Sequence, residues 1–331
     1  MKKLNIIYAI LILIIISCTS LKPELKAESK PSKEVSFYLP PATTYNYMKV
    51  KDVNLFYREA GDPSKPTIVL LHGYPSSSHS YRNLIPMLAS NYHVIAPDNL
   101  GSGFSDHPNP ETTKYTFDLL AEYTEGLLEN LKIEKYIMYM QDFGAPVGYR
   151  MMMKDPKRIK ALIVQNANAY LDGLTPKRQA FFKNAQQDTS QKELDFLYNI
   201  TSREVTINKQ YLFDLDSTNY NTQSPDAWTH DLAFLQKPSD RNIQVQLFQD
   251  YYTNLLSYPT WQKMLKETQP KTLITWGAKD LKFNKHGAEA YLRDLPNAEL
   301  HLLDAGHFAA EEKTREIAEL ILKFLQKEAI K

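Results

Sequence analysis

Tyr136-Ile-Met-Tyr-Met-Gln-Asp-Phe-Gly-Ala-Pro-Val-Gly148 is an apolar, strand-type run that passes straight into a helical one. Asp142 falls on the turn between them, and Gly144 follows two residues on. A sharp strand-to-helix turn lifts one side chain clear of a sheet, and its usual form is G-x-S-x-G. Here Asp takes the central position and Met140 stands where the first glycine would be. Aspartate is also a good helix N-cap. From this stretch alone, Asp142 is either a cap or a nucleophile.

Outward from this turn the pattern alternates. Strand-type runs at Val53–Tyr57, Thr67–Leu71, Tyr92–Ala96 and Ile159–Val164 interleave with helical spacing at Ser80–Ala89, Phe117–Leu131 and Ala145–Lys154. After a less regular, aromatic-rich stretch, Thr272–Trp276 and Glu299–Leu303 read as strands, and Lys285–Leu292 and Thr314–Lys327 as helices. Such alternation predicts an α/β fold, a doubly wound and mostly parallel sheet with helices on both faces. The irregular segment 167–258 is expected to be a helical cap inserted after the sixth strand, over the sheet edge where such folds bind ligands. Residues 44–166 and 259–331 then form the core.

Two more strand ends carry polar residues. Leu303-Asp-Ala-Gly-His-Phe308 places His307 just after the last strand, and Leu273-Ile-Thr-Trp-Gly-Ala-Lys-Asp280 places Asp280 just after another. The chain order Asp142, Asp280, His307 is that of a nucleophile, an orienting acid and a base built on such a turn. Among eight histidines, His307 alone combines this position with an acid similarly placed upstream. Leu70-Leu-His-Gly-Tyr-Pro75 also follows a strand. It is either a plain turn or the second half of an oxyanion hole, in which the backbone N–H groups of Tyr74 and Phe143 would stabilise developing negative charge. Asp98-Asn-Leu-Gly-Ser-Gly-Phe-Ser-Asp106 lacks phosphate-loop spacing and reads as a structural turn.

Composition excludes several classes. The chain has 331 residues, 39 basic and 38 acidic, for a net charge of +1. That balance rules out a broad nucleic-acid footprint. The single cysteine excludes an internal disulfide framework and a Cys-based zinc site. The chain's start reads as an address. Lys2 and Lys3 precede an apolar run from Ile6 to Ile16, too short for the ~20 residues that cross a bilayer as a helix. Ile15-Ile16-Ser17-Cys18 resembles the lipobox of bacterial lipoproteins. The resemblance implies cleavage of residues 1–17, acylation of Cys18, and a protein exported to the cell envelope and held to a membrane by this anchor alone. Residues 18–43, polar and rich in Lys, Glu, Pro and Ser, read as a tether.

From about Tyr47 onward the sequence resembles the α/β-hydrolase family, and within it the Asp-nucleophile branch of epoxide hydrolases and haloalkane dehalogenases. Gln141-Asp142-Phe143-Gly144 is similar to the dehalogenase Q-D-W-G, and His72-Gly73-Tyr74-Pro75 to the epoxide-hydrolase H-G-x-P. Trp276-Gly-Ala-Lys-Asp280 and Gly306-His307-Phe308 match both. The resemblance implies a small-molecule substrate and no cofactor or metal.

The identity of the nucleophile limits the reaction. A carboxylate attacking an sp³ carbon forms an ester that water, activated by His307, can cleave at the Asp142 carbonyl. A serine there would form an inert ether, and Asp attacking an ordinary ester would form an anhydride. Asp142 therefore points to epoxides or alkyl halides. A serine hydrolase does not fit, because Ser102 and Ser105 lie off any elbow. A catalytically silent fold serving as a binding protein would have lost one of the three residues.

The leaving group separates the two chemistries. Dehalogenases of this branch hold halide with an indole after the nucleophile and a second donor, which can follow His-Gly; Phe143 and Tyr74 occupy those positions here. Epoxide hydrolases use two cap tyrosines as acids. Asp250-Tyr251-Tyr252-Thr253-Asn254 resembles the N-W-Y-R-N segment bearing one of them, which nominates Tyr252; Tyr170 and Tyr198 are candidates for the other. Trp228 and Trp261 keep halide binding open. Epoxide hydrolysis is the leading expectation and hydrolytic dehalogenation the second.

Overall fold

The computed structural model describes residues 40–330. The expected signal segment, Cys18 and all but the last residues of the expected tether lie outside that range. Eight strands form one sheet in the order β1-β2-β4-β3-β5-β6-β7-β8. They are β1 Thr44–Val50, β2 Val53–Ala60, β3 Thr67–Leu71, β4 His93–Pro97, β5 Tyr136–Gln141, β6 Ile159–Gln165, β7 Thr272–Gly277 and β8 Glu299–Leu303. The β1/β2 and β2/β4 pairs are antiparallel and every other pair is parallel.

The alternation of side chains along each strand builds two cores. Ile68 and Leu70 of β3 join Ile137, Tyr139 and Ile163 on one face, beneath α1 (Leu84–Ala89) and α12 (Thr314–Lys327). Val69 and Leu71 join Met138, Met140 and Val164 on the other face, with α2 (Phe117–Asn130) and α3 (Gly144–Lys154). Every residue of β3, β4 and β5 is buried, as a strand covered on both faces requires. Helix α12 buries Ile317, Ala318, Ile321, Phe324 and Leu325, a stripe of helical period on one side.

The insertion after β6 is helical. It contains α4 Pro176–Gln187, α5 Gln191–Ile200, the single turn α6 Arg203–Val205, α7 Pro225–Ala233, α8 Pro238–Asp250 and α9 Tyr252–Thr268. The helical layer thus runs past the expected boundary at 258, because α9 continues through Pro259 to Thr268. Among the bonds that tie this layer to the core are three short ones. Gln246 Oε1 accepts from Tyr115 N, Asp250 Oδ2 accepts from Phe117 N, and Arg150 Nη1 donates to Asn254 Oδ1. The remaining core helices are α10 His286–Ala290 and α11 Ala309–Glu312.

The first strand, β1, was not anticipated from the sequence. Its Tyr45 and Tyr47 are exposed, so it carries little of the burial signal that marks the inner strands. It is an antiparallel edge strand joined to β2 through a tight turn at Lys51, whose φ is 54°.

Candidate active site

The turn after β5 has the strained geometry its sequence suggests. Asp142 has φ of 48°, a left-handed conformation that non-glycine residues adopt at a cost in stability. The space around it is closed. A Cβ on Gly144 would collide with the Leu71 carbonyl oxygen, and one on Gly73 would collide with Asp142 itself. These glycines let the β3 and β5 loops approach each other. The β3 loop is pinned by His72, whose Nε2 accepts from Asn99 N at 2.9 Å while Nδ1 donates to Gly73 O at 3.0 Å. Burial pushes the His72 imidazole below its ordinary range, consistent with this neutral tautomer.

The three residues expected from the strand ends meet here. Asp142 Oδ1 accepts the Tyr74 backbone N–H at 2.7 Å, and Oδ2 lies 3.4 Å from His307 Nε2. His307 Nδ1 is 2.7 Å from Asp280 Oδ2. Asp280 Oδ1 accepts from the N–H groups of Lys282 and Phe283 at 2.7 and 2.9 Å. All three side chains are buried. Phe143 is the N-cap of α3 directly after Asp142, so Asp142 sits at the positive end of that helix, where negative charge is stabilised.

Charge dictates protonation. Burial alone would lower the His307 pKa, but the Asp280 and Asp142 carboxylates outweigh it and raise His307 to about 9. Burial likewise works to raise Asp280, yet His307, Lys282 and the Phe283 N–H hold it below the usual carboxylate range. The raised His307 pKa favours the imidazolium at neutral pH.

Two positioning residues were not read from the sequence. Asn166, directly after β6 with φ of 43°, donates from Nδ2 to Asp280 Oδ2 at 2.7 Å and accepts Gly277 N–H at 2.9 Å. Its place at a strand's C-terminal end was the available signal. Asp214, from the cap, accepts from His307 N at 3.1 Å and from Leu281 N at 3.2 Å, and pairs with Lys282 at 3.1 Å. It clamps the two loops carrying His307 and Asp280, and nothing local in its sequence marks it.

The cap residues are distributed differently from expectation. Tyr252 opens α9 half-buried against the apolar core, with no contact to the triad. Its neighbour Tyr251 takes the inward position, fully buried, 5.3 Å from the Phe143 ring, 5.7 Å from Phe117 and stacked on Phe182 at 3.9 Å. Helical backbone turns adjacent side chains about 100° apart, so only one of the pair can face the site. Burial raises the Tyr251 and Tyr258 phenols, and Asp142 raises both further. Tyr170 donates to Asp294 at 3.0 Å and Tyr198 lies under the Arg241 guanidinium at 3.6 Å, so both are engaged elsewhere.

The tryptophan rings are packed within the described fold. Trp276 Nε1 donates to Phe283 O at 2.9 Å, Trp261 stacks on Tyr149 at 4.7 Å, and Trp228 packs edge-on against Tyr211 at 5.8 Å. Phe143, Tyr74, Phe248 and Tyr251 form an aromatic wall instead. In the Asp98 turn, Oδ1 accepts Ser78 N and Oδ2 accepts Phe104 N. Ser105 Oγ donates to Asp98 O, so this loop is structural. Among the described residues, no cluster of His, Cys, Asp and Glu could hold a metal ion.

A family model for the alpha/beta hydrolase fold matches residues 66–314. The chain belongs to that family. It is similar to an uncharacterised hydrolase of Saccharomyces cerevisiae, YNR064C, with 40% identity over 84% of this chain and 96% of that one. A cis-3-alkyl-4-alkyloxetan-2-one decarboxylase of Shewanella oneidensis is 29% identical over 78% of this chain and 81% of its own. Epoxide hydrolase 1 of Caenorhabditis elegans is 23% identical over 85% and 70%. This chain is therefore a hydrolase of that family, and its relatives include proteins named as an epoxide hydrolase and as a haloalkane dehalogenase.

Proposed function

We propose that this hydrolase opens an sp³ electrophile, foremost an epoxide, through an alkyl ester on Asp142. One observation carries the reading: the two oxygens of Asp142 are already divided in role. Oδ1 is held by the Tyr74 N–H and Oδ2 faces His307.

In the first half-reaction Oδ2 attacks a ring carbon, the carbon–oxygen bond breaks, and the released oxygen takes a proton from the Tyr251 or Tyr258 phenol. Esterification removes the charge of Asp142, one of the two carboxylates that raise His307. The imidazolium then loses its proton to the tyrosinate and becomes a base. Consuming the nucleophile thus switches on the base. In the second half-reaction His307 deprotonates a water, which attacks the Asp142 carbonyl carbon. Oδ1 carries the oxyanion against the Tyr74 and Phe143 N–H groups. Collapse expels the diol, which takes its proton from His307. The carboxyl of Asp142 then returns a proton to the imidazole.

Tyr251, rather than Tyr252, is the better-supported cap acid, because it is the one turned toward Phe143 and Asp142. The absence of an indole at position 143 favours an epoxide over a halide. A single-turnover reaction in ¹⁸O water tests the mechanism. The first diol should be unlabelled and Asp142 should gain the label; label in the first diol would mean direct attack by water. The N-terminal segment supports a further proposal, export and acylation at Cys18. Cys18→Ser should move the protein from the membrane to the soluble fraction, and an unchanged membrane share would end that proposal.

A further inference from the structure

Among the described residues, Arg178 is a half-buried cation with no carboxylate paired to it. It lies on α4, on the face that also buries Phe182 and Ala185. Its Nε is shielded from solvent and makes no hydrogen bond, and its guanidinium stands 5.4 and 5.5 Å from the rings of Phe182 and Phe181. Phe182 stacks on Tyr251, which packs on Phe143 beside Asp142. The interior depresses the Arg178 pKa, and the charges that act against that depression are Tyr251, Asp142, Asp280 and Asp214. The stack of Phe182, Tyr251 and Phe143 thus links the Arg178 face of α4 to the turn that carries Asp142.

Its placement is unfavourable for the folded chain. Arg178 is in the first turn of α4, where its own N–H caps onto Thr175 Oγ1, and a cation at a helix N-terminus opposes the helix dipole. Its partial burial without a countercharge adds to that cost. A structural arginine would be matched with a carboxylate or with carbonyl oxygens, as Arg293 is with Asp172 and Arg241 with Tyr198 O. A guanidinium presents donors in a planar fork suited to a carboxylate. A spherical halide ion would engage that fork less completely.

We propose that Arg178 is the anchor for a carboxylate on the substrate, so that the site takes acids bearing both an sp³ electrophile and an apolar body. The aromatic wall receives the apolar part, Arg178 holds the head group, and the electrophilic carbon is brought to Asp142. The proposal rests on the reading of Asp142 as nucleophile for its reaction but not for its binding.

The test uses the full chain and measures binding by calorimetry, without turnover. The probes are 3-phenylpropanoate and its neutral amide, and the variants are Arg178→Met and Arg178→Lys. The wild type should bind the acid at least about tenfold more tightly than the amide, the range expected for a hydrogen-bonded charge pair. Arg178→Met should abolish that preference while leaving amide binding within about twofold, and Arg178→Lys should keep part of it. Having lost an unpaired cation, Arg178→Met should melt no lower than wild type.

Equal binding of acid and amide by the wild type would overturn the proposal, as would a preference that survives Arg178→Met. Bromide binding that depends on Arg178, with no preference for the acid, would make the residue a leaving-group cradle and would also overturn it. The two readings fail separately. Turnover of neutral epoxides without acid preference removes only the carboxylate anchor; acid binding without any Asp142 ester removes only the nucleophile.

Discussion

The core half and the cap half of this site are built to different standards of completeness. On the core side, the polar atoms of Asp142, His307 and Asp280 are each matched, down to two backbone N–H groups on Asp280 Oδ1 and an asparagine on Oδ2. On the cap side, Arg178 Nε is shielded from solvent without a hydrogen bond. Buried polar groups left unmatched are costly. On the proposed reading, the core would fix the chemistry before substrate arrives and the cap would keep Arg178 for recognition.

If this contrast is right, substitutions in the two halves fail differently. The largest effect is expected at Asp142→Ala, which should cut turnover by roughly 10⁴-fold or more. The variant should stay folded, as circular dichroism would check, because the turn is held by the backbone around Gly73 and Gly144. A folded but active variant would break the comparison on its core side. Next, Tyr251→Phe should slow epoxide opening by about 10²-fold, whereas Tyr252→Phe should change it by less than about threefold. Equal losses would erase the distinction between the two tyrosines.

Smaller again, Asn166→Ala should lower kcat by about tenfold with KM unchanged, since it touches Asp280 and no substrate. A rise in KM alone would place Asn166 in recognition.

The smallest effect is on stability against pH. The His307 pKa, about 9, lies above the ordinary histidine value of 6.5. Its charge pair therefore contributes fully below pH 6.5 and is lost as pH rises through 9. The melting-temperature gap between wild type and His307→Gln should narrow across that window. A constant gap would show that the imidazole is neutral in the resting protein.

Legibility follows the same division. The strands were readable because a doubly covered sheet demands uninterrupted apolar runs. The three triad positions were readable because the fold places chemistry at the C-terminal ends of those runs, where Asp142, Asp280 and His307 stand within a few residues of a strand. Edge strand β1 was missed because its outward side chains leave no burial pattern. In the cap no such frame exists. Tyr251 and Tyr252 are adjacent and chemically identical, and only the angle at which α8 passes into α9 decides which of them faces inward. Asp214 reaches His307 from 93 residues away, and Arg178 gains its meaning from being unpaired, which a sequence does not record.

The central claim is a covalent bond to Asp142. The most direct measurement is peptide mass spectrometry of the His307→Gln variant after exposure to an epoxide that the wild-type protein consumes. Without the base, the ester should persist, and the peptide bearing Asp142 should gain the full mass of the epoxide. An unmodified Asp142 peptide, or an adduct on any other residue, would contradict the mechanism.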